Sequence, residues 1–109
     1  VDNAPNANGT EVYYADSNNG NAYGTTSEKL ATNILNRMLY YMGSTNRGVK
    51  TAEHAVTKRC EMPAALTEVG FITNPTEVYN MTTDEYQYKA AQGIAEGIMI
   101  TLKDINVPQ

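Results

Sequence analysis

The segment Met62 to Ile72, MPAALTEVGFI, limits the fold of this chain more than any other stretch. Pro63 opens it and Gly70 bends it. Between them lies a nearly continuous apolar run of strand length, the pattern of a strand covered on both faces. Such a strand needs helices to cover it, and two stripes provide them. From Ser27 to Met42 the residues Leu30, Ile34, Met38 and Tyr41, joined by Ala31, Leu35 and Met42, recur at helical spacing. A second stripe, Ala91, Ile94, Ile98 and Leu102, continues to about Lys103. The expectation is an interior strand over Ala64 to Val69, flanked by helices beginning near Ser27 and Thr83.

The remaining elements follow from local signals. Glu11 to Ala15, EVYYA, is rich in β-formers and sits between the loop VDNAPNANGT and the Asn/Gly-rich stretch DSNNGNAYG, so it reads as a short strand. Thr25 with Glu28 has capping-box spacing, and Gly43 can supply the left-handed residue that ends the first helix. GSTNRG, residues 43 to 48, reads as a polar turn, and Val49 to Cys60 stays ambiguous between helix and coil. Asn74, Pro75 and Glu77 supply an N-cap, a first-turn proline and a reciprocal carboxylate, so a short helix begins there. Thr82 with Glu85 marks the next helix start, and DINVPQ is a tail. Strand, helix, strand, helix is the grammar of an α/β domain.

Composition narrows the function. A chain of 109 residues is one domain or part of one. Twelve acidic against eight basic residues leave a net charge of -4, with Lys50, Lys58 and Arg59 the only loose basic cluster. Nucleic acid is thereby excluded as a partner, since phosphate binding needs a concentrated positive field. No apolar run approaches the roughly 20 residues of a membrane span, and no signal segment opens the chain, so any export signal is expected upstream. Cys60 is the only cysteine, which rules out an internal disulfide and a four-cysteine zinc site.

Glu68 is the residue with most chemical content. A carboxylate within an apolar run is costly to desolvate unless something compensates it, and opposed effects of burial and a nearby cation can poise it for general acid/base work. Its place beside Gly70, at the carboxyl end of a strand, is where ligands of open α/β sheets bind. The competing reading turns Glu68 to solvent on an edge strand. His54, the only histidine, reads as a surface or helix-face residue, because a catalytic zinc takes three protein ligands and no set accompanies it. Arg47 could bind a substrate carboxylate or brace its loop.

Four segments in order resemble the zinc-dependent N-acetylmuramoyl-L-alanine amidases. NGTEVYY, residues 8 to 14, is similar to the family's Gly-x-Glu-x-Tyr-Tyr strand; SEKLA, 27 to 31, to a helix start; NRGVK, 46 to 50, to an Arg-Gly turn. MPAALTEVGFITNPTE, 62 to 77, is similar to a Pro-Ala-x-Leu-x-Glu-x-Gly-Phe-x-x-Asn pattern whose Glu falls on Glu68. Thr67 departs from it, standing where an aliphatic residue is common.

The resemblance implies a central, mostly parallel sheet flanked by helices, with residues 1 to 109 forming the C-terminal part of the catalytic domain. It implies a single zinc held by two histidines and a glutamate, none of which is in this chain. Val1 and Asp2 look like the two residues that follow the last of those histidines. The implied substrate is peptidoglycan, cut at the amide between N-acetylmuramic acid and L-alanine in the bacterial cell wall, outside the cell. Glu68 would be the general acid/base, with Arg47, Asn74 and Glu11 as candidate substrate contacts, and these residues alone would bind no zinc and be inactive. A non-catalytic wall-binding or partner-binding module on a degenerate amidase fold is the alternative. An unrelated α/β domain with a structural Glu68 is a further rival.

Overall fold

The structure is a computed structural model that describes residues 6–20 and 23–105. The first five residues of the opening loop, residues 21 and 22 of the Asn/Gly-rich stretch and the end of the tail lie outside the described residues. Strand β1, Thr10–Tyr14, is followed by a 3-10 turn at Asp16–Asn18 and helix α1, Ser27–Met42. Strand β2, Asn46–Thr51, helix α2, Ala55–Lys58, and strand β3, Leu66–Glu68, come next, before helices α3, Pro75–Met81, and α4, Asp84–Lys103. The described sheet has the order β2-β1-β3, with β1 parallel to β2 and antiparallel to β3. The result is an α/β architecture with a small mixed sheet flanked by helices. Among the described residues no helix is long and apolar enough to cross a membrane.

Helix α1 has the bounds its stripe predicts, and Gly43 closes it in the left-handed conformation, φ 66°, with its N–H on the Leu39 carbonyl. Its N-cap is Thr26, one residue later than expected, accepting from the Lys29 N–H. Ala31, Ile34, Leu35 and Met38 of α1 bury themselves against Val12 and Tyr14 of β1 and Ala90 of α4. Glu11 and Tyr13 therefore face the other side of the sheet, because strand side chains alternate.

Two expectations are corrected. The apolar run does form a strand, but among the described residues it is an edge strand, half-buried, and β1 takes the middle. Only three residues of the run pair with β1. The polar turn at residues 43 to 48 in fact runs into β2. Gly48, at φ 89°, lets the strand bulge, so that Thr10 and Val12 face Asn46 and Val49.

The contact between α4 and α1 also differs from its stripe. Ala90, Gly93, Gly97 and Thr101 are the buried residues of α4, while Ile98 and Leu102 are exposed. The helix backbones approach so closely that a Cβ on Gly97 would lie 2.4 Å from the Ile34 Cα, and one on Gly93 2.5 Å from the Met38 Cα. Thr101 completes the seam: its hydroxyl donates to the Gly97 carbonyl at 2.8 Å and accepts from Asn33 at 2.9 Å.

Candidate active site

Directly opposite residues of an antiparallel pair share a face. Glu11 pairs with Glu68 and Tyr13 with Leu66, so both carboxylates stand on the face turned away from α1. Two like charges so placed repel, and the structure compensates one of them. Glu11 is 4% exposed. One of its oxygens accepts from the Tyr13 hydroxyl at 2.9 Å. The other takes the Lys50 ammonium and the Arg47 Nε, the latter at 3.4 Å. Burial pushes the Glu11 pKa up, but the bonds from Lys50 and Tyr13 and the charges of Lys50 and Arg47 outweigh it, leaving a net lowered pKa.

The bulge at Gly48 makes this possible. In a regular strand Arg47 and Lys50, three residues apart, would point to opposite faces. With the extra residue both reach Glu11. The Arg47 guanidinium also lies over the buried Phe71 ring, 4.6 Å from its centroid. Arg47 is thus held from two sides, while Lys50 keeps a partly exposed side chain. Lys50 and Tyr13 are functional-site neighbours that sequence reading missed. The glycine inside NRGVK was the available signal, since glycine within a strand marks a bulge.

Glu68 is half-buried on β3, and its carboxylate makes no hydrogen bond or ion pair with a described residue. Its charge acts on Tyr13, whose pKa is raised by burial first, then by the bond to Glu11 and the charges of Glu11 and Glu68. Glu68 stands at the carboxyl end of β3 only: because β3 runs antiparallel, that end lies beside the amino end of β1. His54 is exposed and stands edge-on to Tyr13, with ring centroids 5.4 Å apart.

Asn74 does not join this cluster. Its side-chain oxygen caps α3, accepting from the Thr76 and Glu77 N–H groups at 3.0 and 3.2 Å. It also lines a polar groove of about 260 Å³ with Ser44, Thr45, Glu77 and Tyr86. An apolar cavity of about 430 Å³, lined by Leu30, Met62, Ile98 and Leu102 among others, includes none of Glu11, Arg47, Glu68 or Asn74. Its described lining carries no carboxylate, histidine or amine.

Among the described residues no three His, Cys, Asp or Glu side chains stand together as a metal-binding set. Glu11 is already engaged by two cations and a hydroxyl, so these side chains do not fit a zinc site by themselves. The Glu11 network does make a pH prediction. A carboxyl whose pKa is lowered by folding contributes stability above its unfolded pKa, near 4.5, and loses it as pH falls through the folded value. The wild type should unfold at lower denaturant concentration as pH falls through that acid range. Glu11→Gln should flatten that part of the profile, and an unchanged profile would remove Glu11 from it.

The family model described as N-acetylmuramoyl-L-alanine amidase matches residues 1–99. The N-acetylmuramoyl-L-alanine amidase LytC of Bacillus subtilis is 37% identical over 90 residues, 83% of this chain and 17% of LytC. Among solved structures, the amidase AmiC2 of Nostoc punctiforme superposes with a TM-score of 0.80 at 35% identity, covering 94% of this chain and 53% of that one. An N-acetylmuramoyl-L-alanine amidase from Clostridium difficile 630 gives a TM-score of 0.83 at 29% identity, with the same two coverages of 94% and 53%. The chain thus spans about half of each of these structures.

Proposed function

This chain belongs to the N-acetylmuramoyl-L-alanine amidase family, and from that premise we propose that it forms part of a peptidoglycan hydrolase cutting the amide between N-acetylmuramic acid and L-alanine, with Glu68 as general acid/base. The observation that carries this reading is the contrast between two facing carboxylates. Glu11 is neutralised by Lys50, Arg47 and Tyr13, whereas Glu68 has no hydrogen-bond or ion-pair partner among the described residues. A free carboxylate on the same face as a fixed charge network can take a proton from water and hand it to a departing amine. The Lys50 and Arg47 charges next to Glu11 lessen the repulsion that Glu11 would otherwise exert on an ionised Glu68.

Arg47, held between Glu11 and Phe71, has the rigidity to present its guanidinium to an acidic or carbonyl group of the stem peptide. Asn74 lines the polar groove while its oxygen caps α3. The site of action proposed is the bacterial cell wall, where peptidoglycan is found. Zinc enters this proposal as an ion held by side chains outside these residues.

Two measurements test the reading. Muropeptides incubated with the zinc-loaded domain carrying this chain should release free stem peptide with an L-alanine amino terminus, and intact muropeptides after full incubation would count against it. The purified 109-residue chain is expected to carry no stoichiometric zinc and to be inactive. Stoichiometric zinc with His54 among its ligands would overturn the placement of the metal.

A further inference from the structure

We infer that Glu77 is a positioning residue for the facing pair Glu11 and Glu68, a role that rests on the proposal of Glu68 as general acid/base. Glu77 is buried, 7% exposed, on the first turn of α3. Its position three residues after Asn74 predicts a carboxylate turned back onto the cap. The structure sends it elsewhere. One oxygen, Oε1, accepts the N–H of Gly9 at 2.9 Å and the N–H of Phe71 at 3.1 Å. Gly9 leads directly into β1, and Phe71 lies just past the end of β3.

This clamp acts where the strand pairing is weakest. Strand β3 meets β1 over three residue pairs only. So short a ladder specifies its register poorly, and a one-residue slip would turn Glu68 to the opposite face, among the core residues. Two further contacts close the same end of the pair: the Thr10 hydroxyl donates to the Val69 carbonyl at 3.0 Å, and lies 2.7 Å from the Ser44 hydroxyl. Among the described residues, Glu77 is the side chain that accepts from the backbone on both sides, the amide leading into β1 and the amide that follows β3.

The glycines on either side are shaped to it. Gly9 adopts φ 112°, and a Cβ there would lie 2.5 Å from the Thr45 carbonyl oxygen. A Cβ on Gly70 would stand 3.2 Å from Glu77 Oε2 and 3.2 Å from the Met81 sulfur. The backbone therefore comes close enough for a single carboxylate oxygen to reach two amides. Because Oε1 does both jobs, a carboxamide oxygen in the same place can replace it. The role is one of acceptor geometry rather than charge.

The test compares Glu77→Ala, Glu77→Asp and Glu77→Gln. Amide hydrogen exchange of Gly9 and Phe71, read by NMR on this chain, reports the clamp; kcat and KM for muropeptide hydrolysis by the zinc-loaded domain report its consequence. Glu77→Ala and the shorter Glu77→Asp should speed exchange at both amides at least tenfold and lower kcat by about ten- to a hundredfold, with KM within about twofold. Glu77→Gln should restore both. If Glu77→Ala does not fold, the comparison of Glu77→Asp with Glu77→Gln carries the same decision. Faster exchange with unchanged kcat would overturn the positioning role, as would a kcat loss in Glu77→Gln equal to that in Glu77→Asp. Failure of the underlying reading has a different signature, full activity in Glu68→Gln, which leaves the exchange results as they are.

Discussion

Glu68→Gln in the zinc-loaded domain is expected to lower muropeptide hydrolysis by on the order of 10² to 10⁴, the usual contribution of a general acid/base, while melting temperature and zinc content stay at wild-type values. The substitution keeps size and shape and removes only the proton acceptor. Stability should hold because the Glu68 carboxylate has no hydrogen bond or ion pair to lose among the described residues and because its neutralisation relieves repulsion from Glu11 across the ladder. A slight rise in melting temperature is the expected direction. The structural reading of Glu68 makes the reverse forecast: a drop in melting temperature with normal turnover per folded molecule. Full activity in a folded Glu68→Gln variant would remove the residue from the mechanism.

The parts of the fold that were legible in the sequence are those governed by neighbours along the chain. Helix α1 carries its stripe, and its closing Gly43 adopts the conformation glycine favours. Asn74 and Pro75 start α3 as their types require. The parts that were not legible depend on residues distant in sequence. Glu77 has the spacing of a capping box, yet its carboxylate serves Gly9, 68 positions away. Arg47 and Gly48 read as a turn because a bulged strand and a turn use the same glycine, and only the pairing with β1 separates them.

The candidate site divides in the same way. Glu68 stood out as a lone carboxylate in an apolar run, a purely local contrast. Glu11 entered as a candidate only through the family resemblance, and its pairing with Glu68 was not legible, since the antiparallel register that joins them is a tertiary fact. Lys50 was hidden for the same reason: its direction follows from the bulge, not from its own neighbours. The charge balance that distinguishes Glu68 from Glu11 therefore appears only once the three strands are in register.

Helix α4 supplies the largest stability prediction, because here helix propensity and packing make opposite forecasts. In an isolated helix, Gly97→Ala would stabilise by about 0.8 to 1 kcal/mol, since glycine has the greater backbone entropy to lose. In this structure the added Cβ would stand 2.4 Å from the Ile34 Cα and 2.7 Å from its nitrogen. Those are backbone atoms, and no rotamer change moves them. The two helices must separate, which opens the seam through Ala90, Gly93 and Thr101 and loosens Ile34 and Met38 from β1. Overpacking of a close-packed core costs roughly 1 to 3 kcal/mol even where side chains can yield, so packing is expected to win. Gly97→Ala should destabilise by about 2 kcal/mol, and Gly97→Leu by more than about 3 kcal/mol, enough to unfold a marginal domain. Ala95→Leu, at an exposed position of the same helix, should change stability by less than about 0.5 kcal/mol. Urea unfolding of the three variants decides the matter by sign: a Gly97→Ala protein more stable than wild type would show that the helices do not meet at backbone distance.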